Sequence, residues 1–81
     1  MTFPCDVDIK IFVRTADQME DPIRQLLGQY LAASQIKSIR QRNSSKGKYQ
    51  SLSCKVTVES KNEIDRVFRA IGSHPDVIML L

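Results

Sequence analysis

Tryptophan is absent, histidine occurs once, and the 81 residues include only two cysteines, three glycines and three prolines. Each scarcity excludes something. The lone histidine, His74, precedes Pro75 in a turn and has no sequence-near residue to orient it as a catalytic base. Cys5 and Cys54 lie far apart, with no C-x-x-C and no second histidine to complete a metal set, so neither metal nor cofactor is expected. Few glycines and prolines rule out a repetitive or low-complexity chain. Aromatic residues make up 6% of the chain, too few for the base-stacking platforms of an RNA-binding sheet. No apolar run approaches the roughly 20 residues that cross a bilayer. The start, Met1-Thr2-Phe3-Pro4-Cys5-Asp6, lacks the basic segment and apolar core of a signal peptide. A cytoplasmic protein with no membrane partner is the expectation.

What remains is globular. Apolar residues are 42% and charged residues 26%, close to the average for folded domains. The length predicts one domain over residues 1–81. Net charge is +3, and its distribution says more than its sum. Lys37, Arg40, Arg42, Lys46, Lys48 and Lys55 crowd the centre of the chain, while Asp17, Glu20 and Asp21 sit together upstream. That pattern fits a one-sided basic patch, or a hairpin whose lysines keep it soluble and protect an edge strand.

Periodicity orders the elements. Val7, Ile9, Ile11 and Val13 alternate with Asp8, Lys10, Phe12 and Arg14, a strand with one buried face. Asp21 is expected to cap a helix whose first position is Pro22. Ile23, Leu26, Leu27, Tyr30 and Leu31 form its apolar stripe, and the helix is expected to fade near Ala33-Ser34. A second strand runs from Lys37 to Arg42 with Ile39 inward, and Asn43 to Lys48 make a turn around Gly47. In the third strand Leu52, Cys54, Val56 and Val58 face inward, which makes Cys54 a small core residue. Ser60 and Glu63 spell a capping box. Ile64, Val67, Phe68 and Ile71 make the second stripe, Gly72 stops that helix, and His74-Pro75 leads into a last strand, Val77 to Leu81. Strand–helix–strand, twice, predicts an α+β, ferredoxin-like βαββαβ fold: a four-stranded antiparallel sheet with both helices on one face.

Chemistry has little to use. Asp6 and Asp8 share a strand face and read as solvated carboxylates. Ser44-Ser45-Lys46-Gly47-Lys48 is no phosphate loop, since the G-x-x-x-x-G-K-[ST] order is missing and a strand follows. The same turn is nevertheless the sharpest candidate site. Two hydroxyls (Ser44, Ser45), two ammonium groups (Lys46, Lys48) and the backbone freed by Gly47 suit an anion, with Tyr49 beside them for an apolar portion. The plainer alternative is a hairpin turn made from ordinary turn residues.

The run from Ser44 to Ser53 resembles the signature of the YbeD-like family of small bacterial proteins, whose shared core reads Ser-Ser-Lys-Gly-x-Tyr-x-Ser. Asp76-Val77-Ile78-Met79-Leu80-Leu81 is similar to that family's closing strand, and Phe3-Pro4 to its start. The resemblance implies the ferredoxin-like arrangement, a likeness to ACT-type regulatory domains and a link to lipoate metabolism. The chain departs from the ACT pattern at Arg14-Thr15-Ala16-Asp17, which has no glycine to admit a ligand to the backbone. The expected function is a non-catalytic regulatory or protein-interaction module. Its expected partner is a protein or a second copy through the C-terminal edge strand, where both alternating faces are apolar and Ile78 and Leu80 would share the outer one beside Phe12. A small anionic metabolite comes next. The alternative is a weak RNA-associated domain using the basic hairpin and the sheet face.

Overall fold

The computed structural model describes residues 2–14, 18–43 and 49–81. Four strands, β1 (Cys5–Val13), β2 (Ile36–Asn43), β3 (Gln50–Val58) and β4 (Val77–Leu80), and two helices, α1 (Glu20–Leu27) and α2 (Lys61–Gly72), follow in the order β1-α1-β2-β3-α2-β4. The strands form one sheet in the order β2-β3-β1-β4, with every pairing antiparallel. This is the predicted ferredoxin-like fold. β1 and β3 are central because they carry the longest clean alternation, Val7 opposite Val56, Ile9 opposite Cys54 and Ile11 opposite Leu52.

The core lies between the helices and the inner face of the sheet. Ile9, Ile11 and Val13 from β1 and Leu52, Cys54, Val56 and Val58 from β3 meet Ile23 and Leu27 of α1 and Val67 and Ile71 of α2. Ile39, Leu31 and Met19 complete it, while Val7, Leu26, Ile64 and Phe68 are only partly buried at its margin. Each fully buried aliphatic side chain stabilises by about 1.5–3 kcal/mol relative to exposure, enough for a sheet that is covered on one side.

The helix ends differ from expectation. Asp21 does not cap α1. Met19 stands at the N-cap without a side-chain bond of its own, and its N–H donates to Oε1 of Gln41 on β2 at 2.8 Å. In return the backbone N–H of Gln41 donates to Oε1 of Glu20 at 3.3 Å. Pro22 sits inside the first turn, where its missing donor has no intrahelical partner to lose. The helix closes early, at Leu27, with Gly28 at the C-cap, and a 3₁₀ turn over Ala33–Gln35 leads into β2. Of the expected capping box one half is present: Glu63 N–H donates to Oγ of Ser60 at 3.2 Å. The Glu63 carboxylate instead accepts from Glu59 N–H at 3.0 Å and from Nε2 of Gln35 at 2.8 Å, tying the 3₁₀ turn to the start of α2. Gly72 is the last helical residue and Ser73 the C-cap.

β4 carries the second correction. Phe12 pairs with Met79 and Val13 with Val77, so Ile78 is an extra residue, a bulge. A bulge turns two successive side chains toward one side. Val77 and Leu80 pack against the core, while Ile78 and Met79 are 41% and 51% exposed. Leu80 therefore leaves the outer face, and Met79 takes the place beside Phe12.

Candidate functional site

Among the described residues nothing covers the face of the sheet away from the helices, and its side chains follow from the register. Residues directly opposite on neighbouring strands share a face, so the outer positions fall into rows that cross the sheet. One row is Arg42, Ser51, Phe12 and Met79. The next begins with Arg40, Ser53 and Lys10. It ends on Leu81, which exchanges backbone bonds of 3.0 and 2.9 Å with Lys10. A third contains Ser38, Lys55 and Asp8. In the first two rows an arginine stands on β2, a serine on β3 and an apolar side chain on the β4 side.

Serine is too short to fill the space between its neighbours, so the middle of the face is a trough. Lys10, Arg40, Arg42, Ser51 and Ser53 line a depression of about 460 Å³. An adjoining depression of about 530 Å³ lies between Phe12, Tyr49, Ile78 and Met79 and shares Arg42 and Ser51 with the first. The two grade from cationic to apolar across the strands. Asp8 stands opposite Lys55 and lines a depression with Lys10, Arg40 and Lys55; Asp6 lies farther along β1 and accepts a 2.6 Å bond from the Thr57 hydroxyl. Lys10, Arg40, Arg42 and Lys55 are all exposed.

Of the predicted site, Ser44, Ser45, Lys46, Gly47 and Lys48 lie outside the described residues, as do residues 15–17 of the segment compared with ACT domains. Tyr49 is placed, 46% exposed, on the wall of the apolar depression. Sequence reasoning assigned Asp8, Lys10, Phe12 and the β3 hydroxyls to the open face correctly. It missed Ile78 and Met79 side by side there, because strict alternation cannot show a bulge.

Cys54 and His74 are engaged in structure. Burial pushes the Cys54 thiol from its ordinary value of 9.0 up to about 11, against a weaker opposing pull from the Arg24 guanidinium. Few thiolates form at neutral pH on such a group, and the thiolate is the reactive species. Nδ1 of His74 accepts the backbone N–H of Asp76 at 3.1 Å. Among the described residues no three His, Cys, Asp or Glu side chains are placed to hold a metal ion, and no helix is long and apolar enough to cross a membrane.

Residues 1–81 match the model of the family described as "Protein of unknown function (DUF493)". The chain belongs to this family. The YbeD-like resemblance read from Ser44 to Ser53 agrees with it. A UPF0250 protein of Nitrosomonas europaea is 29% identical over 79 residues, which span 98% of this chain and 91% of that protein. A UPF0250 protein of Paraburkholderia phytofirmans is 30% identical over 79 residues, spanning 98% of this chain and 89% of the relative. Among solved structures, protein HP0495 from H. pylori superposes with a TM-score of 0.76 at 20% identity, covering 100% of this chain and 85% of that one. The C-terminal domain of the MgtC protein from Mycobacterium tuberculosis gives 0.74 at 12% identity, with 94% and 82% covered. At such identities these structures show a common fold. The description of the family assigns it no activity.

Proposed function

We propose that this protein is a non-catalytic regulatory or interaction module that docks a protein partner on the open face of its sheet. The observation that carries this reading is the uncovered apolar depression between Phe12, Tyr49, Ile78 and Met79. Apolar side chains grouped on a surface and rimmed by polar ones mark interaction sites more than scattered ones do. Cys54 is buried in the core, and Nδ1 of His74 already accepts the Asp76 N–H. Ser44, Ser45, Lys46, Gly47 and Lys48, next to Tyr49 in sequence, belong to the same proposal as a site for an acidic patch or a small anionic metabolite. The cytoplasm, and the lipoate-linked metabolism implied by the family resemblance, are where a partner is to be sought.

The edges of the sheet support a second contact for this module, with another copy. β2 is partly closed, since Glu20 takes the outward N–H of Gln41, and it bears Lys37, Arg40 and Arg42. β4 has no charged residue along Val77–Leu80. Leu80 lies between Met79 and Leu81, and the bonds of Leu81 to Lys10 imply by antiparallel alternation that the N–H and C=O of Leu80 point to the free edge. An unprotected edge is a template for another strand.

The test is site-specific photo-cross-linking in cells, with benzoylphenylalanine replacing Met79 on the open face or Arg66 on the helical side. A discrete protein joined from position 79 and not from 66 is expected, and nuclease treatment should leave the yield unchanged. Cross-links to RNA from position 79 would favour the nucleic-acid alternative, for which the exposed cations speak. No adduct from position 79 would remove the module reading.

A further inference from the structure

We infer that the partner segment read by the open face is acidic and extended, with one apolar anchor side chain close to its carboxylates. This rests on the reading that the face docks a protein, and it names the chemistry of what docks. The rows define two subsites at a fixed separation. The anchor enters between Phe12, Tyr49, Ile78 and Met79. The carboxylates lie over the serine trough, where Ser53 stands between Lys10 on one neighbouring strand and Arg40 on the other, and where Ser51 adjoins Arg42.

Strands are about 4.8 Å apart, so Lys10 and Arg40 straddle Ser53 with roughly 10 Å between their backbones. Lys10, Arg40, Arg42, Ser51 and Ser53 line one depression, so a carboxylate entering it meets cationic side chains and serine hydroxyls together. Arginine can grip such a carboxylate through two parallel bonds. From Phe12 to Arg42 is likewise two strand spacings, about 10 Å, which an extended chain covers in about three residues. The anchor and the acidic side chains should therefore lie two to four residues apart in the partner.

Charge complementarity selects this occupant. Lys10, Arg40, Arg42 and Lys55 crowd three adjacent rows of this face, with the single carboxylate of Asp8 placed in those rows opposite Lys55. An oligonucleotide would find the charge but not the stacking. Phe12, half-buried, is the one aromatic side chain the central strands place on this face, and Tyr49 stands at its margin, whereas single-stranded nucleic acids rely on successive aromatic platforms.

The experiment uses the full chain and fluorescence anisotropy in low salt. The probes are a fluorescein-labelled peptide with one Leu followed by alternating Glu and Ser, the same peptide with Gln for Glu, the same with Gly for Leu, a labelled oligouridylate, and inorganic phosphate as competitor. The Glu–Leu peptide should bind best. Either changed peptide should bind about tenfold more weakly, as should the protein variants Arg40→Gln and Met79→Ser, on the scale of one charge-assisted bond or one anchor. Both variants change exposed side chains, and their thermal unfolding should match the parent protein. Equal binding of the Gln and Glu peptides, preference for the oligouridylate, full competition by phosphate, or no binding of any peptide would overturn the inference. A protein cross-linked from position 79 through a non-acidic segment would also overturn it while leaving the module reading in place.

Discussion

Oε1 of Gln41 on β2 accepts the backbone N–H of Met19 at 2.8 Å, so the first helix is capped by a strand and not by its own sequence. Through the reciprocal bond from Gln41 N–H to Glu20, helix start and sheet edge hold each other. Gln41→Ala removes the acceptor and should destabilise the fold by about 1–2 kcal/mol, the range for losing a helix cap. Urea unfolding measures it. A midpoint equal to that of the parent protein would mean that the bond is incidental.

The two faces of the sheet should respond oppositely to truncation. Ile11 is fully buried, and Ile11→Ala should cost about 2–5 kcal/mol, a large part of what a domain this small has available. Ile78→Ser, on the open face, should change stability by no more than about 0.5 kcal/mol and reduce partner cross-linking. Equal losses of stability would place Ile78 in the core and remove the open face as a docking surface.

Cys54 predicts a stability loss at alkaline pH. In the unfolded chain its thiol deprotonates near 9.0, whereas the folded protein holds the proton up to about 11. Between those values the folded state binds more protons, so stability falls as pH rises. The contribution is complete below pH 9.0, gone above about 11, and on the order of 2–3 kcal/mol. Chemical denaturation across this window should show the fall in the parent protein and a smaller one in Cys54→Ala. Parallel profiles would show that the thiol does not titrate with folding.

The turn lysines separate a site from a hairpin. Lys46→Ala combined with Lys48→Ala should leave unfolding within about 0.5 kcal/mol of the parent, as for most surface changes, and should weaken binding of the acidic peptide in low salt. Unchanged peptide affinity would reduce the turn to a chain reversal.

How much of this was legible along the chain depends on the range of the interaction. The strands of β1 and β3 were readable because Val7 to Val13 and Leu52 to Val58 repeat every second residue, and that periodicity is local. The second helix was readable from Ser60, Glu63 and the Ile64–Ile71 stripe for the same reason. The start of α1 was not, since its acceptor, Gln41, lies twenty-two positions away. The run from Ser44 carried the resemblance to the family, but the open face is composed from four strands.

Local composition and periodicity, then, determined the element types, the inner faces of β1 and β3 and the family to which the chain belongs. The tertiary structure alone decided that Arg42, Ser51, Phe12 and Met79 form one row, because cross-strand register is a long-range property. It also decided that Ile78 and Met79 point outward together. Alternation along β4 would have separated them; the bulge opposite Phe12 and Val13, required while Val77 and Leu80 both reach the core, brings them to the same face.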